Sequence, residues 1–153
     1  MYHGEDAQED FLVLSGECTL IVEDEERHLK AWDFFHCSPG THHIIVGAGE
    51  GPCALVGYSF GAAVACAVAA VQPRVERLAL VAPLVGMMEL DWDALAKSGV
   101  PTLVVCGELD PHASPAALRQ AVAGRFAVQG IAGAGHGFQR GLPELARRVT
   151  AAL

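Results

Sequence analysis

Apolar and polar positions change rhythm part-way along the chain. Up to about residue 50 the apolar runs are short and broken by turn-formers: DFLVLSG, CTLIVED, RHLKAWDFFHC and HHIIV read as strand-like. Gly16-Glu17 separates the first two, Asp24-Glu25-Glu26 makes a polar turn before the third, and Ser38-Pro39-Gly40-Thr41 makes another before the fourth. From residue 53 onward strand and helix alternate. CALVGY, RLALVAP, PTLVVCG and RFAVQGI are nearly continuous in apolar residues, as expected of parallel strands covered on both faces. Helices are expected over 60–71, 91–97, 114–123 and 143–153. Pro73 stops the first, and Ser114-Pro115 caps and opens the third. In the last, Leu142, Leu145 and Val149 form the stripe to be buried, leaving Arg147 and Arg148 to face water. The predicted class is α/β: about four parallel strands flanked by helices, preceded by an antiparallel β segment.

Gly47, Gly49, Gly51 and Pro52 interrupt the pattern where it changes, which predicts domains at 1–52 and 53–153. Charge changes at the same place. Residues 1–52 hold eleven Asp/Glu against two Lys/Arg, while the remainder holds seven against eight. Such asymmetry suggests two pieces of different origin. There is no basic stripe, so nucleic acid is not expected as a partner. MYHGEDAQED is acidic without an apolar core, so it does not read as a secretion signal. No apolar run reaches the roughly 18 residues that span a bilayer, so no membrane partner is expected. Five cysteines without a CxxC pair lie in or beside apolar runs, which reads as reduced core cysteines in a cytoplasmic protein.

Chemistry concentrates around GYSFG. Ser59 stands between Gly57 and Gly61, after a strand-like run and before an Ala/Val-rich helix. That is the pattern of a nucleophile elbow, in which the glycines let strand and helix approach and the hydroxyl stays exposed. The helix directs its free N–H groups toward the same spot. An activated serine needs a base, and the base needs an orienting acid. Asp110, in CGELDPHAS, follows a buried run and should emerge at the carboxyl edge of the sheet. His136, in AGAGHGF, follows the next strand. The order Ser…Asp…His is that of α/β-hydrolases.

On GYSFGA, VPTLVVCGELDP and GAGHGFQRGLPEL, residues 53–153 resemble the C-terminal half of a small, lidless α/β-hydrolase. The resemblance implies Ser59 as nucleophile, His136 as base, Asp110 as orienting acid and the Phe60 N–H as one oxyanion donor. It implies hydrolysis of a small ester or related acyl substrate, with no cofactor at that site. A complete member of the family has four further strands before the elbow strand, and its second oxyanion donor comes from a loop among them; no hydrolase-like sequence stands there in this chain.

Residues 2–56 resemble part of a cupin. The family's first motif, His-x-His followed by Glu and then Gly, is represented by His3-Gly4-Glu5, Glu9 and Gly16, with Glu5 in place of the second His. The second motif corresponds to WDFFHCSPGTHH, with His43 at the ligand position. The resemblance implies a divalent metal (Mn, Fe, Ni or Zn) held by His3, Glu5, Glu9 and His43. His42 has no motif role and is expected at the turn surface, while Trp32 and Trp92 read as packing anchors.

The chain thus reads as a fusion of two partial domain patterns meeting near residues 52–55. Three functions remain open: a serine hydrolase, impaired or not; a cupin-like metal-binding module; or a non-catalytic remnant. The helix over 60–71 is apolar nearly all round, so a bare face and a homo-oligomer through exposed apolar surface are expected.

Overall fold

The computed structural model describes residues 4, 6, 8–13, 15–47 and 51–153. The chain divides into two compact units, Met1–Gly51 and Pro52–Leu153.

The first unit is all antiparallel. Strands β1 (Glu9–Leu12) and β4 (Phe34–Cys37) pair with each other, while β2 (Glu17–Val22) lies between β3 (Glu25–Lys30) and β5 (His43–Gly47). Alternation decides what is buried: Leu20 and Val22 point inward from β2, joined by Cys37 and His43. Two sequence expectations are corrected. The polar turn is Glu23-Asp24, with Glu23 at φ 51°, and Glu25 and Glu26 already belong to β3. RHLKAWDFFHC is not one run, because a turn at Ala31-Trp32, with Trp32 at φ 73°, divides β3 from β4. Trp32 therefore stands out in solvent at 74 % exposure instead of anchoring the packing.

The second unit is a four-stranded sheet in the order β6 (Cys53–Tyr58), β7 (Val75–Val81), β8 (Thr102–Gly107), β9 (Val128–Ile131), parallel throughout. Helices α1 (Phe60–Val71), α2 (Trp92–Ser98) and α3 (Pro115–Val122) connect successive strands, and α4 (Leu142–Ala152) follows the last. Asp91 and Ser114 cap α2 and α3 by accepting from the N–H groups of Ala94 and Ala117. The ninth strand is shorter than RFAVQGI suggested. Phe126 leaves the sheet to pack on Trp92, ring centroids 6.0 Å apart, so Trp92 does act as an anchor.

Helix α1 buries Ala62, Ala63, Ala65, Cys66 and Ala69, and leaves Val64, Val68 and Val71 exposed. Its inward face is the one with small side chains, which lets it lie close to β6 and β7; the valines occupy the outer face. On the other side of the sheet, Val56, Tyr58 and Val81 line an apolar groove of about 410 Å³ with Leu142 and Leu145 of α4. Helix α4 is looser than its pattern predicts. Leu142 is 59 % exposed, and Leu145 and Val149 are only partly buried. Nor is Arg148 given over to water. It bonds Glu144 Oε1 at 2.7 Å and the carbonyl of Gly130 at 3.2 Å, tying α4 to β9. Among the described residues no helix is long and apolar enough to cross a membrane.

Candidate active site

Ser59 closes the turn between β6 and α1 at φ 55°, ψ −117°. A positive φ is costly for a residue with a Cβ and marks a sharp, over-determined bend. The Ser59 N–H is held by the carbonyl of Val81 at 2.9 Å. Close approach at this bend is the work of Gly57. A Cβ there would lie 2.6 Å from Ala62 Cα and 2.7 Å from Ala65 Cβ, and would also meet the Gly61 carbonyl. Gly61, by contrast, would accept a Cβ into open space. Only one of the two glycines is needed for clearance. Although Ser59 occupies the N-cap position of α1, its hydroxyl makes no capping bond. It is instead 2.9 Å from His136 Nε2.

His136 follows β9 in a loop set on the end of β8. Gly107 makes room for that loop, since a Cβ would come within 2.7 Å of Gly135 O. The Leu109 N–H then bonds the Ala134 carbonyl at 2.9 Å, tying the turn that carries Asp110 to the loop that carries His136. His136 Nδ1 is 2.8 Å from Asp110 Oδ2. Asp110 is 2 % exposed, and its other oxygen accepts from the N–H groups of His112 at 2.8 Å and Ala113 at 3.0 Å. A buried carboxylate with both oxygens engaged is compensated and fixed in direction. Ser59, Asp110 and His136, each named from sequence, therefore meet beyond the carboxyl ends of β6, β8 and β9. Phe60 is the first residue of α1, in the turn whose N–H groups lack intrahelical acceptors.

Two neighbours of the imidazole had escaped sequence reasoning. The Tyr58 ring lies 5.4 Å from the His136 ring, and its hydroxyl donates to the His136 carbonyl at 3.1 Å. Burial, with Asp110 adding to it, pushes the Tyr58 phenol above its ordinary value, so it remains a neutral donor. His112 meets the His136 ring edge-on at 5.4 Å. The only sequence signal was position: Tyr58 immediately precedes the serine, and His112 is two residues past the acid.

The first unit holds a second cluster. Of the four predicted metal ligands, His3 and Glu5 lie outside the described residues. Glu9 and His43 are brought together, with Glu9 Oε2 3.4 Å from His43 Nε2. Cys37, read from sequence as a core cysteine, joins them: its Sγ is 3.1 Å from His43 Nδ1. One carboxylate, one imidazole and one thiol, each offering an atom within 4.8 Å of the others, suit a divalent transition-metal ion chemically.

Residues 47–152 match the sequence profile of the dienelactone hydrolase family. The chain belongs to that family. Residues 1–58 match the profile of the cupin domain, so the two matches share residues 47–58, including β6. No curated protein matches the chain. Among solved structures, the chain is similar to a serine hydrolase homologue from Coxiella burnetii, at 28 % identity and TM-score 0.51, covering 65 % of this chain and 48 % of that one. It is also similar in fold to a protein of unknown function from Agrobacterium tumefaciens assigned to the α/β-hydrolases, at 24 % identity and TM-score 0.54, covering 67 % and 53 %. The chain spans about half the length of these structures. The α/β-hydrolase fold class read from the sequence stands, with a parallel sheet flanked by helices and an antiparallel segment before it.

Proposed function

We propose that this protein is a serine hydrolase that cleaves a small ester, a lactone being the cyclic case that the family's description suggests. The observation that carries the reading is the continuous string from Ser59 Oγ to His136 Nε2 at 2.9 Å and from His136 Nδ1 to Asp110 Oδ2 at 2.8 Å. In this reading Ser59 Oγ attacks the acyl carbon while His136 Nε2 takes its proton. Asp110 holds the imidazole in the tautomer with the proton on Nδ1 and stabilises the imidazolium that forms. The Phe60 N–H donates to the oxyanion, at the positive end of α1. The imidazolium then protonates the leaving alkoxide, and a water activated by His136 releases the acid.

Membership of the dienelactone hydrolase family and the likeness to a serine hydrolase homologue support the same reading. A fluorophosphonate probe tests it directly. The wild-type chain should label at one site, with labelling abolished in Ser59→Ala. Absence of wild-type labelling, or labelling that persists in the variant, defeats the proposal.

A further inference from the structure

We propose that His112 is a positioning residue for the proposed base: contact with its ring keeps the His136 imidazole aligned between Ser59 and Asp110. The inference rests on the serine hydrolase reading of the site and adds a residue to it.

The turn after β8 decides where His112 stands. It lies in Asp110-Pro111-His112-Ala113, between β8 and α3. Pro111 restricts the backbone just before it, and Ser114 caps α3 shortly after it. The His112 N–H donates to Asp110 Oδ1 at 2.8 Å, while Asp110 Oδ2 is 2.8 Å from His136 Nδ1. One buried carboxylate therefore fixes the backbone of one histidine and the side chain of the other. The two rings close the third side of this triangle, with centroids 5.4 Å apart and planes at 83°. Edge-to-face contact at that separation is a preferred arrangement of ring pairs.

The His136 imidazole has reason to need such support. Its side chain is 24 % exposed, whereas that of Asp110 is fully buried. Hydrogen bonds at Nδ1 and Nε2 direct those two atoms but do little to resist rocking of the ring about the line that joins them. Contacts on the faces and edges of the ring oppose that motion. Among the described residues Tyr58 supplies one, tilted at 36°, and His112 supplies another. Rocking matters because a general base acts only within hydrogen-bond reach of the proton it takes, and Nε2 stands 2.9 Å from Ser59 Oγ. The worth of an edge-to-face ring contact corresponds to roughly a 2- to 10-fold change in the population of the aligned ring.

The ring can be changed without disturbing the acid. His112 bonds Asp110 through its backbone, so a side-chain substitution leaves both hydrogen bonds to Oδ1 in place. The residue is also exposed, so little packing is lost with the ring.

His112→Ala should lower kcat on a chromogenic ester by roughly 2- to 10-fold with KM little changed. His112→Phe keeps a ring at the same place and should restore most of that loss. Melting temperatures of both variants should stay near wild type. By NMR, the His136 Nδ1–H held by Asp110 should exchange with solvent faster in His112→Ala and return toward the wild-type rate in His112→Phe. An undiminished kcat in His112→Ala, a change confined to KM, or a His112→Phe that behaves like His112→Ala each overturns the proposal. If the wild type neither labels with a fluorophosphonate nor turns over the ester, the hydrolase reading falls. The exchange rate then decides the positioning role alone: faster exchange in His112→Ala upholds it, and unchanged exchange overturns it.

Discussion

Tyr58 grips His136 from two directions: its hydroxyl bonds the His136 backbone carbonyl at 3.1 Å while its ring lies against the imidazole. The residue before the proposed nucleophile thus fixes the loop that carries the proposed base. Tyr58→Phe keeps the ring and removes one hydrogen bond, whose net worth is about 0.5–1.5 kcal/mol. The expected result is a kcat lowered by roughly 2- to 10-fold with KM little changed, since the bond aligns the base and does not touch substrate. Steady-state kinetics on a chromogenic ester measure both terms; a change confined to KM would contradict the positioning role.

Asp110 separates orientation from architecture. Its Oδ1 accepts two backbone N–H groups, which Asn can also satisfy, while Oδ2 faces His136 Nδ1. Asp110→Asn should therefore fold with nearly wild-type thermal stability. Its amide would present an N–H to Nδ1 and favour the wrong tautomer of His136, a change that costs about 10⁴ in kcat in serine proteases. Circular dichroism melts paired with turnover test this. A variant that retains activity within about 10-fold would remove Asp110 from the mechanism.

Sequence and structure agree where local chemistry dictates the outcome. The four apolar runs become the four parallel strands, but coverage on both faces holds only for the central pair, β7 and β8; the edge strand β6 leaves Val56 and Tyr58 half exposed. Ser59, Asp110 and His136 were legible because each follows a strand, and parallel strands deliver their ends to one edge. What escaped notice depended on pairing that no spacing records. Cys37 meets Glu9 only through the β1–β4 register, across 28 residues of chain. Tyr58 reaches His136 across 78 residues. Helix α4 misled in another way. Its amphipathic stripe is genuine, yet Leu142 lies open beside the groove on β6. β6 itself falls within both family matches, so the join between the two patterns runs through the strand that carries the elbow.

The two glycines of GYSFG differ in what they tolerate. Gly57→Ala pushes a methyl into the backbone of α1 and should destabilise by about 1–3 kcal/mol or more, as overpacking does. Gly61→Ala places its methyl in open space inside α1, where alanine outranks glycine as a helix former, and should stabilise by about 0.5–1 kcal/mol. Urea midpoints for the two variants should move in opposite directions. If both fall equally, close strand–helix packing at Gly57 is not what the elbow depends on.

Among the buried thiols, Cys66 and Cys106 are shifted furthest and set an alkaline limit on stability. Burial raises Cys66 from 9.0 to about 11, with Asp91 adding to it, and raises Cys106 likewise, with Asp110 as its main charged contributor. A group whose folded pKa is raised contributes stability that is complete below its unfolded value and lost as pH climbs through the folded one. The window is therefore pH 9 to about 11. At full expression each thiol accounts for roughly 2–3 kcal/mol, since a tenfold change in proton affinity is worth about 1.4 kcal/mol. Cys106→Ala removes one of these protons along with some packing, so it should be less stable than wild type at about pH 8, yet lose less on going to about pH 10.5. Unfolding free energies of both proteins at the two pH values give that difference directly. Parallel losses in wild type and variant would mean that Cys106 does not titrate with unfolding and that the alkaline limit lies elsewhere.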